Sequence, residues 1–129
     1  MFYAAADRGD RSNQRAQEII SAGERLLTSD HVLVESWFLI AHRLGRDAAE
    51  RFWGAIRAGA VSVEAVIAAD LDVAFGIGED FPDQGFSIVD RTSFAVMQRL
   101  GVFRAASLDG HFAIFRFGKN RSRAFEIVR

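Results

Sequence analysis

The stretch GFSIVDRTSFAVMQRLG, Gly85 to Gly101, places an aspartate on a helix face that otherwise reads as apolar. Phe94 and Met97 follow Asp90 at i+4 and i+7, and Ile88 and Val89 precede it. At 3.6 residues per turn these positions stack on one side, with Arg91, Gln98 and Arg99 on the other. The carboxylate is aimed with the stripe, towards an interior. One reading is a capping box: Ser87 and Asp90 have the S-x-x-D spacing in which an acid reaches back to the cap. The other is a polar site built at a helix start, where the helix dipole also favours an anion.

Working outward, 129 residues with 50% hydrophobic and 26% charged content describe one globular domain over 1–129 with a real core. A net charge of -1 excludes a global positive field for nucleic acid or anionic membranes. The basic residues are fifteen Arg and one Lys. Arg suits bidentate phosphate recognition, although codon preference explains the same bias. Cysteine is absent, which removes disulfide and thiolate chemistry and fits a cytoplasmic protein. No run of 18 apolar residues occurs and the start lacks a basic region ahead of a long apolar one, so neither a membrane span nor a signal peptide is expected.

No linker or repeat interrupts the chain, and the single Pro, Pro82, marks the clearest loop. A short helix to Asp7 and one from Ser12 or Asn13 to Gly23 open the pattern. A strand over 26–29 follows, then a helix capped by Asp30 and stopped by Gly45. Asp47 opens a helix closed by Gly59, residues 61–63 read as a strand, and Glu64 to about Gly78 as a helix. After the helix from Ser87 come a strand over 104–108, a helical turn over 111–115 and a last strand over 125–128. Strands alternating with helices predict an α/β fold with a mostly parallel sheet, which binds ligands at the carboxyl ends of its strands.

Two further acids fall near such ends. Glu35 lies on the helix from Asp30, whose stripe is Leu33, Trp37, Ile40 and Leu44; its flanks, Phe38 and Leu39, suggest a helix buried on two sides. Glu35 either reaches solvent or an Arg, or faces a site, because Glu is seldom buried without a partner. Asp109 directly follows the strand AASL, where turn-forming Asp is also common. Three crowded carboxylates repel one another, and a hard divalent cation, Mg²⁺ or Mn²⁺, relieves that. The histidines His31, His42 and His111 lack metal-ligand spacing and read as surface or core-edge residues. GIGEDF lacks the third glycine of a dinucleotide fingerprint, and no G-x-S-x-G occurs. The basic turn of Arg116, Lys119, Arg121 and Arg123 is either solvated or placed for phosphate.

The succession TSDHVLVES, FSIVDRTSFAVMQRLG and SLDGHF, with FYAAADRGD at the start, resembles the PIN-domain ribonucleases, and within them the toxin half of VapBC toxin–antitoxin pairs. The resemblance implies a three-layer α/β/α fold and a metal-dependent endoribonuclease acting on RNA. By it, Glu35, Asp90 and Asp109 stand where the family holds Mg²⁺ or Mn²⁺, and Thr28, Ser87, Thr92 and Ser107 supply hydroxyls around them. It also implies an antitoxin partner and a homodimer, with no membrane. The family's first strand, ending in Val-Asp-Thr/Ser, has no counterpart here, because Met1 stands where the following helix starts; Asp7 and Asp10 match that helix's end. The missing strand, owed to a start site placed too late or else to degeneration of the fold, is expected to weaken folding as well as metal binding. A rival reading is a catalytically inactive PIN-fold protein that binds an antitoxin or dimerises, and a more distant one is an unrelated small-ligand binder.

Overall fold

The computed structural model describes residues 1–129, and its trace divides into two compact units, Met1–Ala65 with Arg129, and Val66–Val128.

The first unit strings together α1 (Phe2–Ala6), α2 (Asn13–Ser21), β1 (Leu27–Ser29), α3 (Asp30–Leu44), α4 (Arg46–Ala55) and β2 (Ser62–Glu64). Asn13 Nδ2 donates to the carbonyls of Ala4 and Ala5 at 2.8 and 3.1 Å. Those are last-turn acceptors of α1 that the helix cannot satisfy itself. Asp7 ends α1 and accepts from the Tyr3 hydroxyl at 2.7 Å, in line with a structural role at that helix end. The cap of α3 is Ser29, whose Oγ accepts from Val32 N at 3.1 Å; Asp30, expected as the cap, is one residue inside the helix. A wide π-helical turn over Ile56–Ala60 follows α4 and is broken by Gly59 at φ 102°, a conformation that suits glycine.

β1 and β2 pair in parallel, Leu27 opposite Ser62 and Ser29 opposite Glu64. The core of this unit is made of small and branched residues, Ala4, Ala16, Ile19, Ile40, Ala49, Ile56 and Val61. The two-sided burial expected for α3 does not occur. Only Ile40 is buried on it, while Val34, Phe38 and Leu39 are exposed and Phe38 keeps 64% of its surface. The apolar flanks of α3 therefore reflect an open surface within this unit, not a second core.

The second unit contains α5 (Ala68–Asp80), α6 (Ile88–Leu100), β3 (Arg104–Ala106), α7 (His111–Ile114) and β4 (Glu126–Val128). α5 starts four residues later than expected, where Asp70 Oδ2 accepts from Ile67 N at 3.0 Å. α6 begins where the sequence predicts, with Ser87 as its cap, and ends at Gly101, left-handed at φ 67°. β3 and β4 run parallel, Arg104 opposite Glu126, joined through α7, since parallel neighbours need a long crossover.

Phe86, Phe94, Phe115, Phe117 and Phe125 fill this core with Ile77 and Ala105. Phe94 is fully buried and stacks on Phe115 at 4.3 Å and 4°. Asp70, 2% exposed, takes a two-pronged ion pair from Arg99, Nε to Oδ1 and Nη2 to Oδ2, both 3.0 Å. That guanidinium, with the Ile67 amide, holds the Asp70 carboxyl below its ordinary range against the opposing pull of burial. The parallel strand pairing expected of an α/β chain is present, but as two two-stranded sheets of three-residue strands, one in each unit.

Candidate functional site

Asp90 sits in the first turn of α6, and both sequence readings of it hold together. Ser87 Oγ accepts from Asp90 N, and Asp90 Oδ2 accepts from Ser87 N, each at 3.0 Å, closing the capping box. The same Oδ2 lies 2.6 Å from His111 Nδ1. That is an ion pair whenever the imidazole is protonated and a hydrogen bond when Nδ1 carries the only proton. Asp90 is the less exposed partner, its side chain retaining 16% of its surface against 37% for His111.

Asp109 arrives from the turn after β3. Its Oδ1 accepts from the His111 amide at 2.8 Å, which sets the first turn of α7. Ser107 is buried beneath, and its hydroxyl donates to the Asp109 carbonyl at 3.4 Å. Ligand atoms of Asp90, Asp109 and His111 all lie within 4.8 Å of one another. With Asp90 Oδ2 and Asp109 Oδ1 engaged, the other oxygen of each carboxylate is left for a further partner.

Such a trio suits a divalent cation. Ligand distances near 2.1 Å place donor atoms within roughly the observed span of one another. Two carboxylates supply hard anionic oxygen, and the imidazole widens the choice beyond the oxygen-only set expected from sequence, towards ions that accept nitrogen. His111, which reads in the sequence as a surface or core-edge residue, is thus a member of the cluster. Its signal was the two-residue step from Asp109 in SLDGHF, which lets one short turn present both side chains. The hydrophobic wall behind it is Phe86, edge-on to the imidazole at 5.5 Å.

Glu35, the third expected acid, belongs to the first unit, on the exposed part of α3. Thr28 is half-buried on β1 of that same unit. Of the hydroxyls expected around the acids in the second unit, Ser87 and Ser107 meet backbone atoms, the Asp90 amide and the Asp109 carbonyl, and not the carboxylates. Thr92 is fully buried and donates at 3.2 Å to Val89 O within its own helix. The basic turn is ordered on aromatic rings: Arg121 lies over Phe81 at 4.5 Å and Arg123 over Phe103 at 4.2 Å. Arg116 instead donates to the carbonyls of Ala113, Ile114 and Phe115, closing the end of α7. No helix is long and apolar enough to cross a membrane.

No family model matches the chain. It is 35% identical over 119 residues, 90% of both chains, to the 23S rRNA-specific endonuclease VapC20 of Mycobacterium tuberculosis, in strain CDC 1551 / Oshkosh and equally in strain ATCC 25618 / H37Rv. Its fold matches the crystal structure of Mycobacterium tuberculosis VapC20, described as a Sarcin-Ricin loop cleaving toxin, with a TM-score of 0.80 and 34% identity over 87% of each chain. Sequence and fold agree across nearly all of both units, so the chain belongs to the VapC-type toxins of the PIN-domain family.

Proposed function

We propose that this chain is a metal-dependent endoribonuclease, the toxin of a type II toxin–antitoxin pair, and that Asp90 and Asp109 hold the cation. The observation that carries the proposal is the convergence of Asp90, Asp109 and His111 within 4.8 Å at the start of α6 and the end of β3, in a chain related to an endonuclease of 23S rRNA. Glu35 completes the acidic set by family resemblance. The cation is Mg²⁺ or Mn²⁺, with Mn²⁺ the better match to a set that includes an imidazole. Bound, it supplies a lowered water pKa and charge stabilisation at the scissile phosphate.

The chain's own residues do the rest. The capping box and the His111 contact fix the Asp90 carboxylate, so that its free oxygen needs little reorganisation to bind. His111, tied through Nδ1 to Asp90, would offer Nε2 to the same cation. No side-chain nucleophile is needed. The partners in this reading are an RNA substrate, a cognate antitoxin protein and a second copy of the chain, met in the cytoplasm.

Asp90→Asn tests it. Asparagine keeps an acceptor for Ser87 N but removes an anion from the cation's shell. Cleavage of RNA with Mg²⁺ or Mn²⁺ should fall about 10³-fold or more, roughly 4 kcal/mol of transition-state stabilisation, with thermal stability shifted by less than about 1 kcal/mol. Retained cleavage with lost stability would reduce Asp90 to a helix cap.

A further inference from the structure

A second recognition feature lies beside the acidic cluster, in the groove between the end of α5, the Pro82 loop and the start of α6. It is open to solvent and offers about 250 Å³, slightly below the ~300–1,000 Å³ of pockets for drug-sized ligands, and room for a single planar ring system. Phe75, Gly78, Glu79, Phe81, Gln84 and Arg91 line it. Phe86 also lines it and touches His111 with its edge at 5.5 Å, so the groove and the cluster share a wall.

Arg91 is positioned rather than loose. Its Nη1 donates to Ala74 O at 3.3 Å and its Nε to Ser87 O at 3.4 Å. The guanidinium lies against the backbone of α5 at Gly78, where a Cβ would come within 2.0 Å of Nη1. Only glycine leaves that shelf open. Two long hydrogen bonds engage two of its five N–H groups, so donors remain for a ligand. Phe75, 69% exposed, offers an uncovered aromatic face that no packing in this unit uses. Glu79, exposed at the same groove, is a carboxylate that would repel a phosphate. An aromatic face, a planar donor fork and an acceptor of N–H groups together describe the partners of a base, not of a backbone phosphate.

We propose that this groove binds one unpaired guanine base of the RNA, next to the scissile phosphate. Stacking comes from Phe75, O6 and N7 accept from Arg91, and N1–H and the 2-amino group donate to Glu79. Single-stranded RNA is read in this manner, by splayed bases stacked on aromatic rings and hydrogen-bonded at their edges, and an Arg fork on O6 and N7 is the commonest guanine contact. The inference rests on the reading of the chain as a ribonuclease.

The test is equilibrium binding of fluorescein-labelled single-stranded RNA hexamers, one holding a single guanine and one with adenine there, to the full chain in EDTA, where cleavage is silent. Wild type should prefer the guanine hexamer by about 10-fold or more, the discrimination a good bidentate pair provides. Arg91→Lys, which keeps the charge and loses the fork, and Gly78→Ala, which keeps Arg91 and displaces it, should each abolish the preference. Glu79→Gln should cut it while strengthening binding of both hexamers. An absent guanine preference in wild type, or a preference unchanged in Arg91→Lys, overturns the proposal, and Arg91→Lys decides the matter if Gly78→Ala does not fold. Guanine binding that behaves as described, in a chain that cleaves no RNA with Mg²⁺ or Mn²⁺, leaves the subsite standing and sinks the nuclease reading instead.

Discussion

The two units bury their apolar residues by different means. Residues 66–128 hold nine of the twelve Phe, and five of them are buried together in one aromatic core. Residues 1–65 hold both Trp and the single Tyr, yet their buried set is alanine, isoleucine and valine, while Trp53 and Phe38 remain 42% and 64% exposed. A core of interlocked rings has few alternative packings. It is this unit that carries the Asp90–Asp109–His111 cluster. The first unit instead presents apolar residues along α3, a surface property.

The sharpest way to break this contrast is at Phe94. It is fully buried, stacked on Phe115 at 4.3 Å and edge-on to Phe86 at 5.2 Å. Phe94→Ala should destabilise the second unit by roughly 3–5 kcal/mol, read as lost amide-exchange protection in peptides spanning 86–125. Ile56→Val, a trimmed methyl in the first unit's core, should cost only about 0.5–1.5 kcal/mol. Equal losses from both changes would show that the aromatic core is no more tightly specified than the aliphatic one.

A second, smaller effect concerns the ion pair that joins α5 to α6. Arg99→Ala strands the buried Asp70 carboxylate with the Ile67 amide alone, and should cost about 3 kcal/mol, at the lower end of the range for a broken buried pair, because Arg99 is itself partly solvated. The pH dependence has a definite sign. Asp70 is held below its ordinary value in the folded state, so its contribution is fully present above the unfolded carboxyl value near ~3.9. It is lost as pH falls through the depressed folded value. Acid titration below about pH 4 should therefore show a steeper loss of stability in wild type than in Asp70→Asn. Parallel curves for the two would remove the ion pair as the cause.

Local chemistry was legible where one residue decides it. Ser87 and Asp90 set the start of α6 from the sequence alone, because a capping box acts within a turn. Parallel pairing was also legible from the alternation of short strands and helices. The burial of α3 was not: its apolar run looks the same whether a surface is covered or open, and only tertiary packing distinguishes them. The late start of α5 turned on Asp70, whose carboxylate both closes on Ile67 N and meets Arg99, 29 residues away. A pattern read in windows does not contain that partner. His111 was missed for a related reason. Its spacing to other histidines is uninformative, and its role depends on Asp90, which is 21 residues earlier.

The smallest expected effect tests the first unit's tolerance. Trp37 on α3 has its Nε1 buried without a hydrogen-bond partner, a donor whose lost hydration costs about 1–3 kcal/mol. Its ring meets Phe38 edge-on at 5.4 Å and 87°. Trp37→Phe deletes that donor and keeps an aromatic ring able to make the same kind of contact. The lost area of the larger ring, at roughly 25 cal/mol per Å², acts in the opposite direction. The two terms are of similar size, so the variant should fall within about 1 kcal/mol of wild type by chemical denaturation, followed by far-UV circular dichroism. A loss of 3 kcal/mol or more would mean that the indole is held by its shape in a tightly packed site, and that the first unit is as closely fitted as the second.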